Sequence, residues 1–339
     1  MSNQKCLIQH IALMKTYLSN VLKNQVLSED DCEHIIDMIE HSSFNEFQLS
    51  GILTTLQLRG EKLSEIRGFR SALLKRSISP SLNGEEAIDL CGTGGDGKNP
   101  VNISTTSSFV MAALGYKVVK HGNYGVSSGC GSSTVVEALG LQLSSDPIQL
   151  EKDLTTYNFC FLHAPLFHPT LKKVAPLRAK LGVRTIFNAL GPLVNPVQPA
   201  YQLTGTFSLD LARTYAHVLK TERKEFTVFH GMNGYDELTL SDATRSIGTR
   251  EDRLLQPANY QLNPIHPDKL KAADSPESNA RLIRDILKGK GSEEQTNVIA
   301  ANVTEARLLF APNEDRVLLF RDTIDFIRKG YTAKHFKLN

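Results

Sequence analysis

The sequence predicts an α/β protein: a helical N-terminal domain over residues 1–80 and a larger α/β domain over residues 85–339, with a mostly parallel central sheet covered by helices. Three observations lead there. The first eighty residues carry helical periodicity only. Pro80 and the polar Ser81-Leu82-Asn83-Gly84 then break the pattern. Beyond them short apolar strands alternate with helical segments, which is the signature of parallel sheets built from βαβ units. A length of 339 residues also suits about two domains at roughly 150 residues each.

In the N-terminal part, Ser28 and Asp31 form a capping box, and Cys32, Ile35, Ile36 and Ile39 follow at i, i+3, i+4, i+7. Asn45 and Gln48 repeat the capping pattern before Leu49, Ile52, Leu53 and Leu56, and Gly60 stands where that helix ends. That apolar face serves a subunit interface or an internal core equally well. A further helix runs from about Ser64 to Lys75. After the linker, Ala87–Cys91 is a strand that enters Gly92-Thr93-Gly94-Gly95-Asp96-Gly97. A helix from Ser104 to Leu114 is closed by Gly115, and Tyr116–Lys120 is the next strand. A second glycine-rich loop, Gly122 to Gly131, leads into a helix from about Ser132 to Leu139. Phe159–His163, Gln202–Phe207 and Glu225–His230 are later strands, and Leu209–Leu219 is an intervening helix.

Hydrophobic residues at 41% and charged residues at 22% are ordinary for a soluble globular chain. A net charge of +2 argues against a dedicated nucleic-acid binder, which carries a strong basic excess. No apolar run approaches the roughly 18 residues of a membrane span. Met1 to Lys15 lacks a secretory core and cleavage site, so a cytoplasmic location is expected. The five cysteines, Cys6, Cys32, Cys91, Cys130 and Cys160, are scattered without a C-x-x-C pair. They read as reduced, half-buried thiols rather than disulfides or a zinc site.

Two glycine-rich loops leave two strands within forty residues, at the edge where open α/β sheets bind ligands. The first offers backbone N–H groups unobstructed by side chains, suited to a phosphate or diphosphate. It is neither a Walker loop, since no Gly-Lys-Ser/Thr follows, nor a dinucleotide fingerprint, since Asn99-Pro100 intervenes before any helix. Asn102, Ser104 and Thr105 place polar groups at a helix N-terminus. The second loop, Lys120-His121-Gly122-Asn123-Tyr124-Gly125-Val126-Ser127-Ser128 and on to Ser132, adds a positive charge and hydroxyl donors. His121 alone reads as a packing histidine. Asp236-Glu237, after the strand ending at His230, is a carboxylate pair able to hold Mg²⁺ beside substrate phosphates, although such a pair in isolation is a solvated turn.

In this order, Gly-Thr-Gly-Gly-Asp, Asn-Ile-Ser-Thr, Lys-His-Gly-Asn, the run from Phe167-His168-Pro169 through Val183–Asn188 to Leu190–Pro196, and Asp236-Glu237 resemble the anthranilate phosphoribosyltransferases over nearly the whole chain. The resemblance implies a nucleoside phosphorylase/phosphoribosyltransferase-like fold in which helices from about 168–195 join the N-terminal domain. It implies Mg²⁺-dependent transfer of phosphoribose from 5-phosphoribosyl 1-diphosphate (PRPP) to the amino group of anthranilate, with release of diphosphate, in tryptophan biosynthesis. By motif, PRPP falls to Gly92, Gly95, Asp96, Pro100, Asn102, Ile103, Ser104, Thr105, Lys120, His121, Gly122, Asn123, Tyr124, Gly125, Val126, Ser127, Ser128 and Ser132. Anthranilate falls to Gly92, Asn123 and Arg178, whose guanidinium matches a carboxylate bidentately. Of two magnesium ions, one is expected on Ser104 and Glu237 and the other on Asp236 and Glu237. A homodimer through the N-terminal helices is also implied, and no general base is assigned.

Three positions depart from the family pattern. Tyr124 replaces an arginine and removes a charge near the phosphates, Pro100 replaces a threonine, and Thr134 replaces an aspartate. Two other readings compete: a pyrimidine nucleoside phosphorylase-like enzyme, whose chains are longer, and a non-catalytic nucleic-acid-binding relative, which would lose the carboxylate pair and gain a basic stripe.

Overall fold

The computed structural model describes residues 2–125, 130–222, 224–273 and 275–338. The chain forms two compact units, Met1–Ser79 with Pro165–Pro196, and Pro80–Ala164 with Val197–Asn339.

The first unit is helical: Ser2–Leu22, Glu29–Glu40, Glu46–Arg59, Leu63–Lys75, Pro169–Leu181 and Ile186–Leu190. Ser28 and Asp31 form the expected capping box, and Asn45 accepts from the Gln48 N–H. Gly60 ends its helix at φ 79°, where an L side chain is strained. Leu49, Ile52, Leu53 and Leu56 are fully buried within this unit, so that face builds an internal core. Glu65, fully buried, accepts the backbone N–H groups of Leu27 and Lys62 and pairs with Arg59, which satisfies a charge that would otherwise be costly. Arg70 donates to the Leu193 carbonyl at 2.8 Å, and the Ile78 N–H donates to the Phe167 carbonyl at 2.9 Å. These bonds fasten the returning segment to the first four helices.

The second unit is built on one sheet, which among the described residues has seven strands: β1 Ala87–Gly92, β2 Lys117–Gly122, β3 Phe159–His163, β4 Tyr201–Gly205, β5 Glu225–Gly231, β6 Thr244–Gly248 and β7 Asp252–Leu255. Their order is β3-β2-β1-β4-β5-β6-β7. The pairs from β3 to β5 are parallel, and β5–β6 and β6–β7 are antiparallel. The helices Ile103–Ala113 and Glu293–Phe310 pack on it with almost wholly buried faces. The chain leaves β1 toward β2 and β3, then returns on the other side of β1 as β4 and β5. The topological switch therefore lies between β1 and β4, where such folds bind ligands beyond the strands' carboxyl ends.

Several boundaries shift against expectation for physical reasons. The strand expected to run from Gln202 to Phe207 ends at Gly205, where the backbone of Asp236 closes over it. Tyr116 lies before its strand, with its ring 4.8 Å from that of Phe310. Cys32, Cys91, Cys130 and Cys160 are buried rather than half-buried, and burial pushes the thiol pKa of each upward.

Candidate active site

The terminal residues of β1 and β4, Gly92 and Gly205, are register partners at the switch point. Both are glycine because the Asp236-Glu237 loop presses on them. A Cβ on Gly92 would stand 2.8 Å from the Asp236 carboxylate, and one on Gly205 would overlap the Asp236 carbonyl oxygen. Asp236 is thus a buried residue, not the solvated turn residue its sequence context suggests. Its carboxylate accepts the Gly94 N–H at 2.6 Å and the Thr93 hydroxyl at 3.4 Å. Glu237, half-buried, accepts the Ser104 N–H at 3.3 Å at the start of the helix Ile103–Ala113. Buried Asn302 holds the same loop by donating to the Leu238 carbonyl at 2.7 Å.

Asp96 joins this pair, a proximity no local motif reveals. One oxygen accepts the Lys98 N–H at 3.0 Å, and the carboxylate lies close enough to Asp236 to raise that residue's carboxyl. Burial, and for Asp236 the neighbouring Asp96 charge, holds the Asp236 carboxyl well above the usual carboxylate range. Burial and Asp236 do the same to Glu237. Asp236 and Glu237, with Asp96 beside Asp236, supply the hard carboxylate oxygens that Mg²⁺ prefers, so the donor chemistry fits the ion, although the three do not gather around one point in this structure. Lys120 is no surface lysine. It is 2% exposed, donates to the Leu90 carbonyl, and lies close enough to favour the ionised form of Glu237.

The outgoing limb of the first loop is clamped. The Val101 N–H donates to the Leu270 carbonyl at 2.7 Å and the Ala272 N–H to the Asn99 carbonyl at 3.0 Å, around a bridge between Pro100 and Lys271. These bonds use residues 99 and 101, so proline is tolerated at position 100 although it has no N–H to give. Asn102 donates to the Cys130 carbonyl at 3.0 Å, which joins the end of the first loop to the end of the second. Ile103 and Thr105 are buried, so Ile103 can offer a ligand only backbone.

In the second loop, His121 is buried, and Gly122 lies against the Ser132 hydroxyl and the Phe161 ring, leaving no room for a Cβ. Asn123, Tyr124 and Gly125 are exposed. The Asn123 carbonyl accepts the Ser132 hydroxyl at 3.3 Å and the Ser133 N–H at 3.2 Å. Val126, Ser127 and Ser128 lie outside the described residues. Tyr124 is occupied: its hydroxyl donates to the Glu137 carboxylate at 3.2 Å, and its ring meets that of His163 edge-on, 4.9 Å between centroids. Removing that hydroxyl in Tyr124→Phe should leave Tm nearly unchanged, because the bond it makes is exposed, and thermal melting would check this.

Arg178 belongs to the helical unit, on the helix Pro169–Leu181. It is half-buried, donates to Asn188 Oδ1 at 3.2 Å and stands 5.7 Å over the Phe187 ring. No carboxylate pairs with it among the described residues, and burial alone draws its pKa down.

Residues 84–324 match the glycosyl transferase family a/b domain, and residues 15–77 match the helical bundle domain of the same family. The chain is 46% identical to the anthranilate phosphoribosyltransferase of Christiangramia forsetii, over 85% of this chain and 87% of that one. It is 36% identical to the enzyme of that name from Bacteroides fragilis, over 95% and 98%. The crystal structure of anthranilate phosphoribosyltransferase from Thermus thermophilus superposes with a TM-score of 0.86 at 30% identity, covering 95% of this chain and 97% of that one. The Saccharomyces cerevisiae enzyme in complex with PRPP and Mg superposes with a TM-score of 0.86 at 26% identity, with 96% of each chain covered. Fold, motif order and these likenesses agree, and the chain belongs to the anthranilate phosphoribosyltransferase family.

Proposed function

We propose that the cradle at the β1–β4 switch point is the PRPP site of the family reaction: the phosphoribosyl group passes from PRPP to the amino group of anthranilate, giving N-(5-phosphoribosyl)anthranilate and diphosphate in tryptophan biosynthesis. The observation that carries the placement is the Asp236-Glu237 loop pressed on the two strand-terminal glycines, with Asp236 accepting the Gly94 N–H of the first loop and Glu237 the Ser104 N–H at the start of the helix Ile103–Ala113. The loop from Gly92 and Gly95 to Ser104 and Thr105 supplies backbone donors to the diphosphate, and Lys120, Asn123, Tyr124 and Ser132 border it from the second loop. Two magnesium ions are assigned, one to Ser104 and Glu237 and one to Asp236 and Glu237; bound there, they would neutralise charge developing on the departing diphosphate. In the reaction the anomeric C–O bond breaks and a C–N bond forms. Anthranilate's amine is neutral at pH 7 and then loses a proton, so no strong base is required. Positioning of the two reactants supplies most of the acceleration, up to about 7–11 kcal/mol in favourable cases.

Following anthranilate fluorescence tests the reaction. Consumption should require both PRPP and Mg²⁺, and full turnover in EDTA would contradict the assignment. A nucleoside phosphorylase would instead release base from a nucleoside in phosphate buffer, and the named relatives favour the transferase over that reading.

Arg178 is assigned to the carboxylate of anthranilate because it is half-buried with no acidic partner among the described residues. Arg178→Ala should weaken the use of anthranilate by about ten- to a hundredfold, the loss of one charge-assisted pair worth roughly 1.5–3 kcal/mol. PRPP affinity, read by calorimetry, should hold. A matching loss for PRPP would assign the arginine to the other substrate. We also assign a cytoplasmic location and a homodimer, the dimer supported by Phe47 and Leu58, each 88% exposed on the helix Glu46–Arg59. Sedimentation of the protein and of a Phe47→Glu variant would test the dimer.

The carboxylates also set a pH dependence. Because their folded-state pKa values are raised, the metal-free folded protein holds protons that the unfolded chain gives up, and its stability falls as pH rises from the ordinary carboxylate range toward neutrality. Mg²⁺ competes with those protons. It should therefore raise Tm more at pH 8 than at pH 5.5; an equal rise at both would exclude these carboxylates as its ligands.

A further inference from the structure

We infer that Asn279, on the helix Pro276–Leu287, is a positioning residue that sets the orientation of the Asn102 amide toward PRPP. Asn279 is fully buried. Its amide N–H₂ donates to Asn102 Oδ1 at 2.6 Å, and Asn102 in turn donates through Nδ2 to the Cys130 carbonyl at 3.0 Å.

An asparagine amide can turn over by 180° with little change in shape, exchanging donor for acceptor. Here both alternatives are closed. A donor from Asn279 requires an oxygen at that end of Asn102, and the Cys130 carbonyl requires a nitrogen at the other. The half-buried Asn102 keeps one N–H and one lone pair for a ligand, each with a fixed direction. Asn279 leaves its own Oδ1 buried without a hydrogen-bond partner. A side chain serving only to fill space would be better replaced by an apolar one there. The chain thus spends a buried amide on the direction of a neighbour that stands at the start of the helix Ile103–Ala113, makes no side-chain cap bond to it, and ties the two loops together.

The inference rests on the placement of PRPP at these loops, and the test separates the two. Asn102→Ala, Asn279→Ala and the double variant are compared for KM(PRPP), KM(anthranilate), kcat and Tm. Asn279→Ala should raise KM(PRPP) about tenfold, the scale of one hydrogen bond removed or misdirected, and move KM(anthranilate) less than about twofold. In the Asn102→Ala background the same change should add almost nothing, because the two residues act in series. If Asn279→Ala lowers Tm alone and leaves KM(PRPP) unchanged while Asn102→Ala raises it, the inference fails and the placement stands. If Asn102→Ala leaves KM(PRPP) unchanged, the placement of PRPP on Asn102 fails and takes the inference with it. Additive effects in the double variant also overturn it. Should Asn279→Ala not fold, Asn279→Leu fills nearly the same space and removes the donor, and the same readings apply.

Discussion

Replacing Asp236 with Asn and Glu237 with Gln together should lower turnover at limiting Mg²⁺ by about a hundredfold or more, since electrostatic stabilisation by a bound cation is worth several kcal/mol. Excess Mg²⁺ should restore part of the loss. The fold should survive. An amide at position 236 would still offer an oxygen to the Gly94 N–H, and the loop remains anchored by Asn302. Melting distinguishes a metal role from a structural one by its sign. Removing crowded charges should leave the metal-free Tm unchanged or higher at pH 8, because the native carboxylates are held there against burial and mutual repulsion. Near-native turnover at limiting Mg²⁺, or a sharp fall in Tm, would remove the pair from the metal site.

Gly205→Ala should damage both stability and turnover with the addition of one methyl group. The new carbon would overlap the Asp236 carbonyl oxygen, which belongs to backbone and cannot swing away as a flexible side chain would. Overpacking of this kind costs about 1–3 kcal/mol, sometimes more. The relief available is to lift the Asp236-Glu237 loop off the strand, and displacing a catalytic group by about 1 Å can cost roughly a hundredfold in rate. A loss in Tm accompanied by a weaker response to Mg²⁺ is the expected result. A fall in Tm with native kinetics would show that the loop tolerates the shift.

The sequence made the helical unit and the central parallel strands legible because each announces itself locally. Capping residues precede periodic apolar positions at Ser28 and Asn45, and Phe159–His163 is a continuous apolar run bounded as observed. Thr244–Gly248 and Asp252–Leu255 carried no such signal: they are short strands of mostly polar residues, and what they bury, Thr244, Ser246 and Leu255, forms no apolar run. In the site, the glycine loops and the carboxylate pair were visible as motifs. Asp96 beside Asp236, Lys120 beneath its loop and Asn279 behind Asn102 were not, because each depends on residues brought together across the sheet. Asn279 has no motif around it, and its partner is 177 positions away.

The bridge between Pro100 and Lys271 gives this site a position in time as well as in space. A ribosome that has made about 260 residues has completed both glycine loops, Lys120 and the Asp-Glu pair, yet Leu270, Lys271 and Ala272, which grip the first loop, and Asn279 behind it are still to come. Contacts at such sequence separation form late in folding. Until those residues emerge, the nascent chain holds both glycine loops and the Asp-Glu pair without the segment that fixes the first loop in place.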